Sequence, residues 1–506
     1  MNLTKIALRG AFISTIIALI QGALTFWRTN VIITTYGTDI NSISQIAYQI
    51  FSYLVLFESG LGAAYLYKMY EPISNKQYKK VNALYLGLTI SLKGISLKMF
   101  IGVVLLALIY PLVLSGNSVG YFGAFIIIIL LGIRFVFPYY FTLSKKNMLA
   151  VTERQYLVVL IDGIINILII IFEIILAKVF GLRIEYVLLV GILFSIFSNH
   201  VYVAIIKRKC QNITANDVKP LFDGNQMTKD IMVHQIASLA NTKVDTIILS
   251  IVDLFSVTVY SAYDAVMTYP ITLVNKVLDT IRASIGLKLA SSVENTYSVF
   301  KEIMSVNFLV ASITTATFIS VVNDFIYLWI GEQFILNFYC VILFGAILMR
   351  RLIINPIYLV RDGQGLYKES KYYTVLTTIV NVLLSLILVK PLGIFGLLIA
   401  TVFSSYLIMD LGNYYLVYCV VFKKKLVIYW DLLMVSLSIF LSLVCIDAVI
   451  NKFNNNDTLT WESFIINTFT SLIISTLLTI IIFSIYNRSF VRVIKRIMSL
   501  IKRKIA

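Results

Sequence analysis

Fourteen stretches of this chain are apolar over lengths that suit a lipid bilayer, near 11–35, 43–67, 81–114, 119–142, 156–177, 184–206, 231–252, 258–281, 303–322, 333–360, 372–389, 393–420, 427–447 and 461–486. An α-helix rises 1.5 Å per residue, so roughly 20 residues cross a hydrocarbon core about 30 Å thick. Within that core every backbone N–H and C=O must find its partner inside the protein, which a helix achieves locally. The stretches account for most of the 506 residues and leave no room for a soluble domain. Composition agrees, with 59% hydrophobic and 13% charged residues and a mean hydropathy of +0.90. The expected fold class is therefore an all-α polytopic membrane protein with about fourteen transmembrane helices. The third stretch is too long for one crossing and is expected to begin with an interfacial turn or two.

A net charge of +17 raises nucleic acid as a partner, but the placement of the cations argues against it. They crowd into alternate connections such as "NKQYKK", "SKKNMLAVTERQ", "KRKCQNITANDVKP" and "FKKKL", while "LSGNSVGY" and "IGEQFILN" carry none. That alternation is the positive-inside rule, and it puts both termini in the cytoplasm. The tail "NRSFVRVIKRIMSLIKRKIA" sets seven cations among apolar residues at helical spacing, which suits the anionic lipids of the inner leaflet; the plainer alternative is a solvated basic tail. Residues 1–35 do not read as a cleaved signal, because the apolar run contains Arg28 and lacks a small-residue cleavage site. Cys210, Cys340, Cys419 and Cys445 lack metal-ligand spacing, and His200 and His234 are the only histidines, so neither a metal site, a cofactor nor a Ser/His/Asp triad is expected.

The chain repeats itself. "TERQYLVVLIDGIIN" at 152–166 returns as "YKESKYYTVLTTIVN" at 367–381, with Glu153 over Glu369, Tyr156 over Tyr372 and Asn166 over Asn381. At the same offset of 215 or 216 residues Arg28 meets Lys243, Asn30 meets Asp245, Tyr48 meets Tyr263 and Arg134 meets Arg350. Rare polar residues agreeing across several helices point to internal duplication. Six crossings per half is an even number, so the halves are expected to be parallel repeats about an axis along the membrane normal, facing each other across a central cleft. The expected division is an N-lobe at 1–206, a cytoplasmic linker at 207–230, a C-lobe at 231–422, two additional helices at 423–487 and the basic tail at 488–506.

Two segments carry a family resemblance. "FESGLGAAYLYKMYEPISNKQYKK" at 57–80 resembles the second-helix segment of Wzx-type polysaccharide flippases, where a glycine motif precedes a basic loop. "NVLLSLILVKPLGIFGLLIATVFSSYLI" at 381–408 resembles their Asn-Val-Leu opening, Pro/Gly turn and small-residue Ala-Thr helix. The first half lacks a matching "NV" and "ATxxS". The resemblance, to the multidrug/oligosaccharidyl-lipid/polysaccharide exporter superfamily, implies a non-enzymatic carrier for undecaprenyl-pyrophosphate-linked oligosaccharide in the bacterial inner membrane. Surface polymer such as O-antigen or capsule, and polymerase machinery as a partner, follow from it in the same sense.

Charges inside the apolar runs supply the candidate site. A cation at a helix centre costs about 2.5–3.5 kcal/mol on insertion scales, so it needs a reason. Lys93, Lys98 and Lys276 are near cytoplasmic helix ends and can snorkel. Arg28 with Lys243, and Arg134 with Arg350, are symmetric under the repeat and are read as an upper and a lower pair of substrate-binding cations. Each phosphate of a diphosphate takes a charge-assisted partner. The competing reading pairs these cations with intramembrane acids such as Asp162, Asp245 or Asp264, with Asp264 the expected partner of Lys243. Asp245, Asp264 and Glu58 are candidates for coupling to H+ or Na+. Tyr48 and Tyr263 are a symmetric aromatic pair suited to stacking on sugar. A multidrug or ion antiporter of the same superfamily is the nearest alternative function; it would favour intramembrane acids. A membrane polysaccharide polymerase is disfavoured because the longest outer loop, near 448–460, offers little chemistry.

Overall fold

The computed structural model describes all residues except 1–2, 59–60, 115–117, 153, 211–217, 223–228, 292, 426–427, 454–458 and 506. Glu153 of the repeat and most of the linker at 207–230 thus lie outside the described residues. All regular structure among the described residues is helical: α1 (Leu3–Tyr36), α2 (Thr38–Leu54), α3 (Leu61–Ser74), α4 (Tyr78–Val113), α5 (Gly120–Phe141), α6 (Leu143–Val151), α7 (Gln155–Lys178), α8 (Ile184–Lys209), α9 (Lys229–Val252), α10 (Leu254–Ser291), α11 (Val293–Ile330), α12 (Phe338–Ile353), α13 (Asn355–Gly363), α14 (Tyr367–Ser404), α15 (Leu411–Tyr414), α16 (Ile428–Phe453), α17 (Trp461–Tyr486) and α18 (Arg488–Ile505). Eleven stretches among the described residues are long and apolar enough to cross a membrane, and the chain is a multi-pass membrane protein.

Several apolar runs fold differently from single rods. The run at 43–67 breaks at Glu58, whose Oε1 accepts the Gly62 backbone N–H at 3.0 Å and so satisfies an open donor at the start of α3. The third run has no separate interfacial turn; α4 is one helix of 36 residues, about 54 Å long. The run at 333–360 divides into α12 and α13, the first capped by Asn337, which accepts from the Cys340 N–H at 2.9 Å. α14 doubles back at Gly393, where φ is 57° and ψ −135°, a conformation that glycine adopts without a Cβ clash. Asn381 Nδ2 reaches Thr401 Oγ1 at 3.1 Å. In a straight helix those residues would be about 30 Å apart.

The chain forms two compact units, Met1–Leu239 with Thr246–Thr258, and Ala240–Asp245 with Val259–Ala506. The cuts fall within α9, at 239/240 and 245/246, and within α10, at 258/259. In the first unit Tyr65, Met69, Leu84, Leu88, Met148 and Tyr202 form a core joining α3, α4, α6 and α8. In the second unit α16 and α17 pack on α11 through small hydroxyl residues: Ser438 Oγ donates to Ser312 Oγ at 3.0 Å, and Ser471, Ser475 and Thr479 line the buried face of α17. Small side chains let membrane helices approach closely where no hydrophobic driving force separates protein from lipid. α18 buries Phe490 and exposes Arg488, Arg492, Lys495 and Arg496.

The described part of the linker is tied to the first unit. Leu221 N–H donates to Ala83 O at 3.0 Å, and its carbonyl lies against Gly87, where a Cβ would meet Leu221 O at 2.1 Å. Only glycine permits that backbone approach. Gly87→Ala is expected to release residues 218–222, seen as about tenfold faster amide exchange in a peptide covering them. Unchanged exchange would show that the contact does not hold the linker.

Candidate functional site

The first unit gathers charge from four helices. Arg28 on α1 and Arg134 on α5 converge on Glu173 of α7: Arg28 Nε donates to one carboxylate oxygen, and Arg134 Nη1 donates to the other at 2.8 Å. Glu173 is 1% exposed, while the two arginines are 19% and 21% exposed. Close helix packing permits the convergence, since Gly191 of α8 leaves room for the Arg134 side chain where a Cβ would sit 2.5 Å from its Cδ. Each contact engages one nitrogen of a guanidinium that carries five N–H donors.

Arg134 opens onto two cavities. The larger, about 580 Å³, is lined by Tyr48, Glu58, Arg134, Tyr139, Lys146 and Asn147 among others. The smaller, about 180 Å³, shares Arg134, Pro138 and Lys146 and adds Asp162, Asn166, Ser195 and Ser198. Lys146, in the cation-rich connection after α5, binds Asp162 at 2.7 Å, and Tyr202 donates to the other Asp162 oxygen at 2.8 Å. The cavity thus holds cations, acids and aromatic surface together.

The second unit treats its cations differently. Arg350 is 8% exposed and forks onto both oxygens of Asp410 at 2.7 Å. Asp410 closes a π-helical segment, Ser405–Asp410, that interrupts the regular winding after α14. Tyr263 is fully buried; its hydroxyl donates to Asn323 Oδ1 at 2.6 Å and accepts from Leu336 N–H at 2.9 Å, and its ring stacks on Phe344. The polar groups of Arg350 and Tyr263, both expected to face substrate, are therefore committed to protein partners. Asp264, expected opposite Lys243, receives Arg351 Nη1 at 3.3 Å. Lys243 is half-buried on α9, two residues from Asp245. Arg28 and Arg134, expected in an upper and a lower pair, meet at a single carboxylate.

Asp245 is the centre of a second cluster. Its Oδ2 accepts from Tyr260 at 3.0 Å and from Thr401 at 3.3 Å, and Asn381 donates to the same Thr401 hydroxyl. Asp245 Oδ1, Asn381 Oδ1 and Ser385 Oγ are buried with no hydrogen-bond partner among the described residues. Orphaned buried oxygens beside a carboxylate fit a proton or a hard alkali cation, which takes oxygen ligands. No cluster of three or more His, Cys, Asp or Glu that could hold a metal occurs among the described residues.

No protein-family model matches the chain, and no curated protein matches it. Solved structures do. The lipid II flippase MurJ in an inward closed conformation is similar over 94% of this chain and 100% of its own, with TM-score 0.67 at 18% identity. An inward-facing multidrug resistance MATE family transporter of the MOP superfamily is similar over 80% of this chain and 97% of its own, with TM-score 0.57 at 13% identity. A MOP superfamily transporter from Pyrococcus furiosus, described as having a binding pocket of reversed polarity, gives TM-score 0.53 at 11% identity, over 84% of this chain and 95% of its own. The fold is MOP-like.

Proposed function

We propose that this protein is a flippase that carries polyprenyl-pyrophosphate-linked oligosaccharide from the inner to the outer leaflet of the bacterial cytoplasmic membrane, by alternating access and for surface polysaccharide assembly. The carrying observation is the convergence of Arg28 and Arg134 on one carboxylate, with Arg134 lining a cavity that also holds Lys146 and Asn147. Two guanidinium groups against one acid leave a positive excess that suits a diphosphate, and the aromatic wall at Tyr48 and Tyr139 suits sugar. Fourteen crossings with both termini in the cytoplasm belong to this reading, as does Lys243 as a further cation on the substrate's path. The basic face of α18 rests on anionic lipid, and polymerase machinery receives the product. Asp245, with Asn381 and Thr401, is the proposed coupling site for Na+ or H+, and Glu58 and Asp264 are secondary candidates. The structural likeness to lipid II flippase MurJ supports a lipid-linked cargo as a class.

The likeness to MATE transporters favours a multidrug exporter as the second reading. Deletion separates the two. Loss of the flippase is expected to stop surface polysaccharide and to trap lipid-linked repeat units inside, without sensitising cells to cationic dyes. Dye sensitivity with intact polymer, in a strain with no second flippase, would establish the exporter instead.

A further inference from the structure

We infer that Glu173 is the charge that a bound oxyanion displaces from Arg28 and Arg134, so that this carboxylate sets both how tightly the diphosphate is held and how readily it leaves. The inference rests on the diphosphate reading above.

Comparison with the Arg350–Asp410 pair shows why Glu173 differs from an ordinary counter-ion. Arg350 and Asp410 form a closed one-to-one pair, both oxygens bound by one fork and both residues buried. Glu173 is as deeply buried as Asp410, yet it divides its two oxygens between two guanidinium groups from different helices. Each arginine keeps donors in hand and stays about one-fifth exposed, and Arg134 lines both cavities. A structural pair needs one cation per acid; the second arginine is surplus to that purpose.

Without substrate, Glu173 bridges Arg28 and Arg134, whose like charges would otherwise repel. A diphosphate brings at least two negative charges and more acceptor oxygens than one carboxylate, so it competes for the same N–H donors. Glu173 cannot follow it into solvent, because it is 1% exposed. It therefore remains beside the bound anion and repels it. A carrier needs that opposition, since cargo bound too well does not leave. The offset of 216 residues places Val389 opposite Glu173, so the second half carries no matching acid at that position.

The test uses the full chain in nanodiscs, titrated with inorganic pyrophosphate and, separately, with undecaprenyl pyrophosphate. Glu173→Gln keeps the shape and removes the charge. It is expected to tighten binding of both by about tenfold. In proteoliposomes it is expected to lower the half-saturating substrate concentration and the maximal rate together. A merely structural carboxylate predicts the opposite, weaker binding through disordered arginines. If the Gln variant does not yield folded protein, Glu173→Asp decides: its shorter reach loosens the grip on the arginines and is expected to raise affinity several-fold, and equal or lower affinity overturns the inference. If wild type binds pyrophosphate and the Gln variant binds it no more tightly, the role of Glu173 is refuted and the proposed function stands. If wild type binds neither probe, the diphosphate reading itself fails. Tightening with inorganic pyrophosphate alone would locate a free-anion site and would also overturn the inference.

Discussion

Replacing Arg350 with Gln is expected to cost the folded protein, whereas the same replacement at Arg134 is expected to cost transport and leave the protein intact. The two arginines occupy equivalent positions of the repeat, so the contrast comes from their surroundings alone. Arg350→Gln strands Asp410 as a buried, unpaired carboxylate, and breaking a buried pair costs about 3–5 kcal/mol. That is a large share of a typical folding stability of about 5–15 kcal/mol. The double change Arg350→Gln with Asp410→Asn removes both charges and is expected to recover most of the lost protein, measured as monodisperse material after detergent extraction. Arg134→Gln leaves Glu173 paired with Arg28, so levels are expected near wild type. Transport is expected to fall by about 10–100-fold, the worth of one charge-assisted contact of roughly 1.5–3 kcal/mol. Wild-type transport by Arg134→Gln would remove Arg134 from the substrate's path. Loss of folded protein equal to that of Arg350→Gln would make Arg134 structural as well.

That contrast also shows what the sequence could reveal. Apolar run length pointed to an all-helical membrane chain, though eleven stretches rather than fourteen are long and apolar enough to cross among the described residues, and the Pro/Gly turn at 391–393 marked the reversal within α14. The repeat found the intramembrane cations, because rare polar residues stand out against Ile and Leu. It did not find their partners. Glu173, in "IIIFEIILAK", and Asp410, in "SSYLIMDLGNYY", are lone acids in apolar runs and carried the same signal as the arginines, but neither has an acidic counterpart under the repeat. Position 389 is valine, so at that offset the cations match and the acids do not. Pairing is a property of packing: Arg28 and Glu173 are 145 residues apart, and nothing local joins them. Asn381 and Thr401 both lie in the stretch that resembled Wzx-type flippases, yet their contact depends on the turn at Gly393 bringing two rods together. Tyr48 and Tyr263 show the limit of symmetry, since one lines a cavity and the other is sealed in the core.

The same packing makes Asp245 the position where a neutral substitution is expected to change energetics most. Asp245→Asn preserves the size of the side chain and can still bond Tyr260 and Thr401, so the protein is expected to fold. What it loses is the buried carboxylate charge of a cluster in which Asp245 Oδ1 and Asn381 Oδ1 are buried without hydrogen-bond partners among the described residues. If the cluster holds Na+, a ligand that binds only the folded state stabilises it by RT ln(1 + [L]/Kd), about 2.7 kcal/mol at a hundred times Kd. Wild-type protein is then expected to show a Tm that rises with sodium at constant ionic strength, and Asp245→Asn is expected to show none. Thr401→Val, which keeps the carboxylate and deletes one oxygen, is expected to shift the sodium dependence to higher concentration. If the proton is the coupling ion, wild type shows no sodium response but its transport follows an imposed pH gradient, and Asp245→Asn abolishes that dependence. In either case uphill transport is expected to fail in the Asn variant while exchange of bound substrate persists, because Arg28 and Arg134, proposed to hold the diphosphate, lie in the other unit. An Asn variant that still concentrates substrate with full ion dependence would show that the coupling site lies elsewhere.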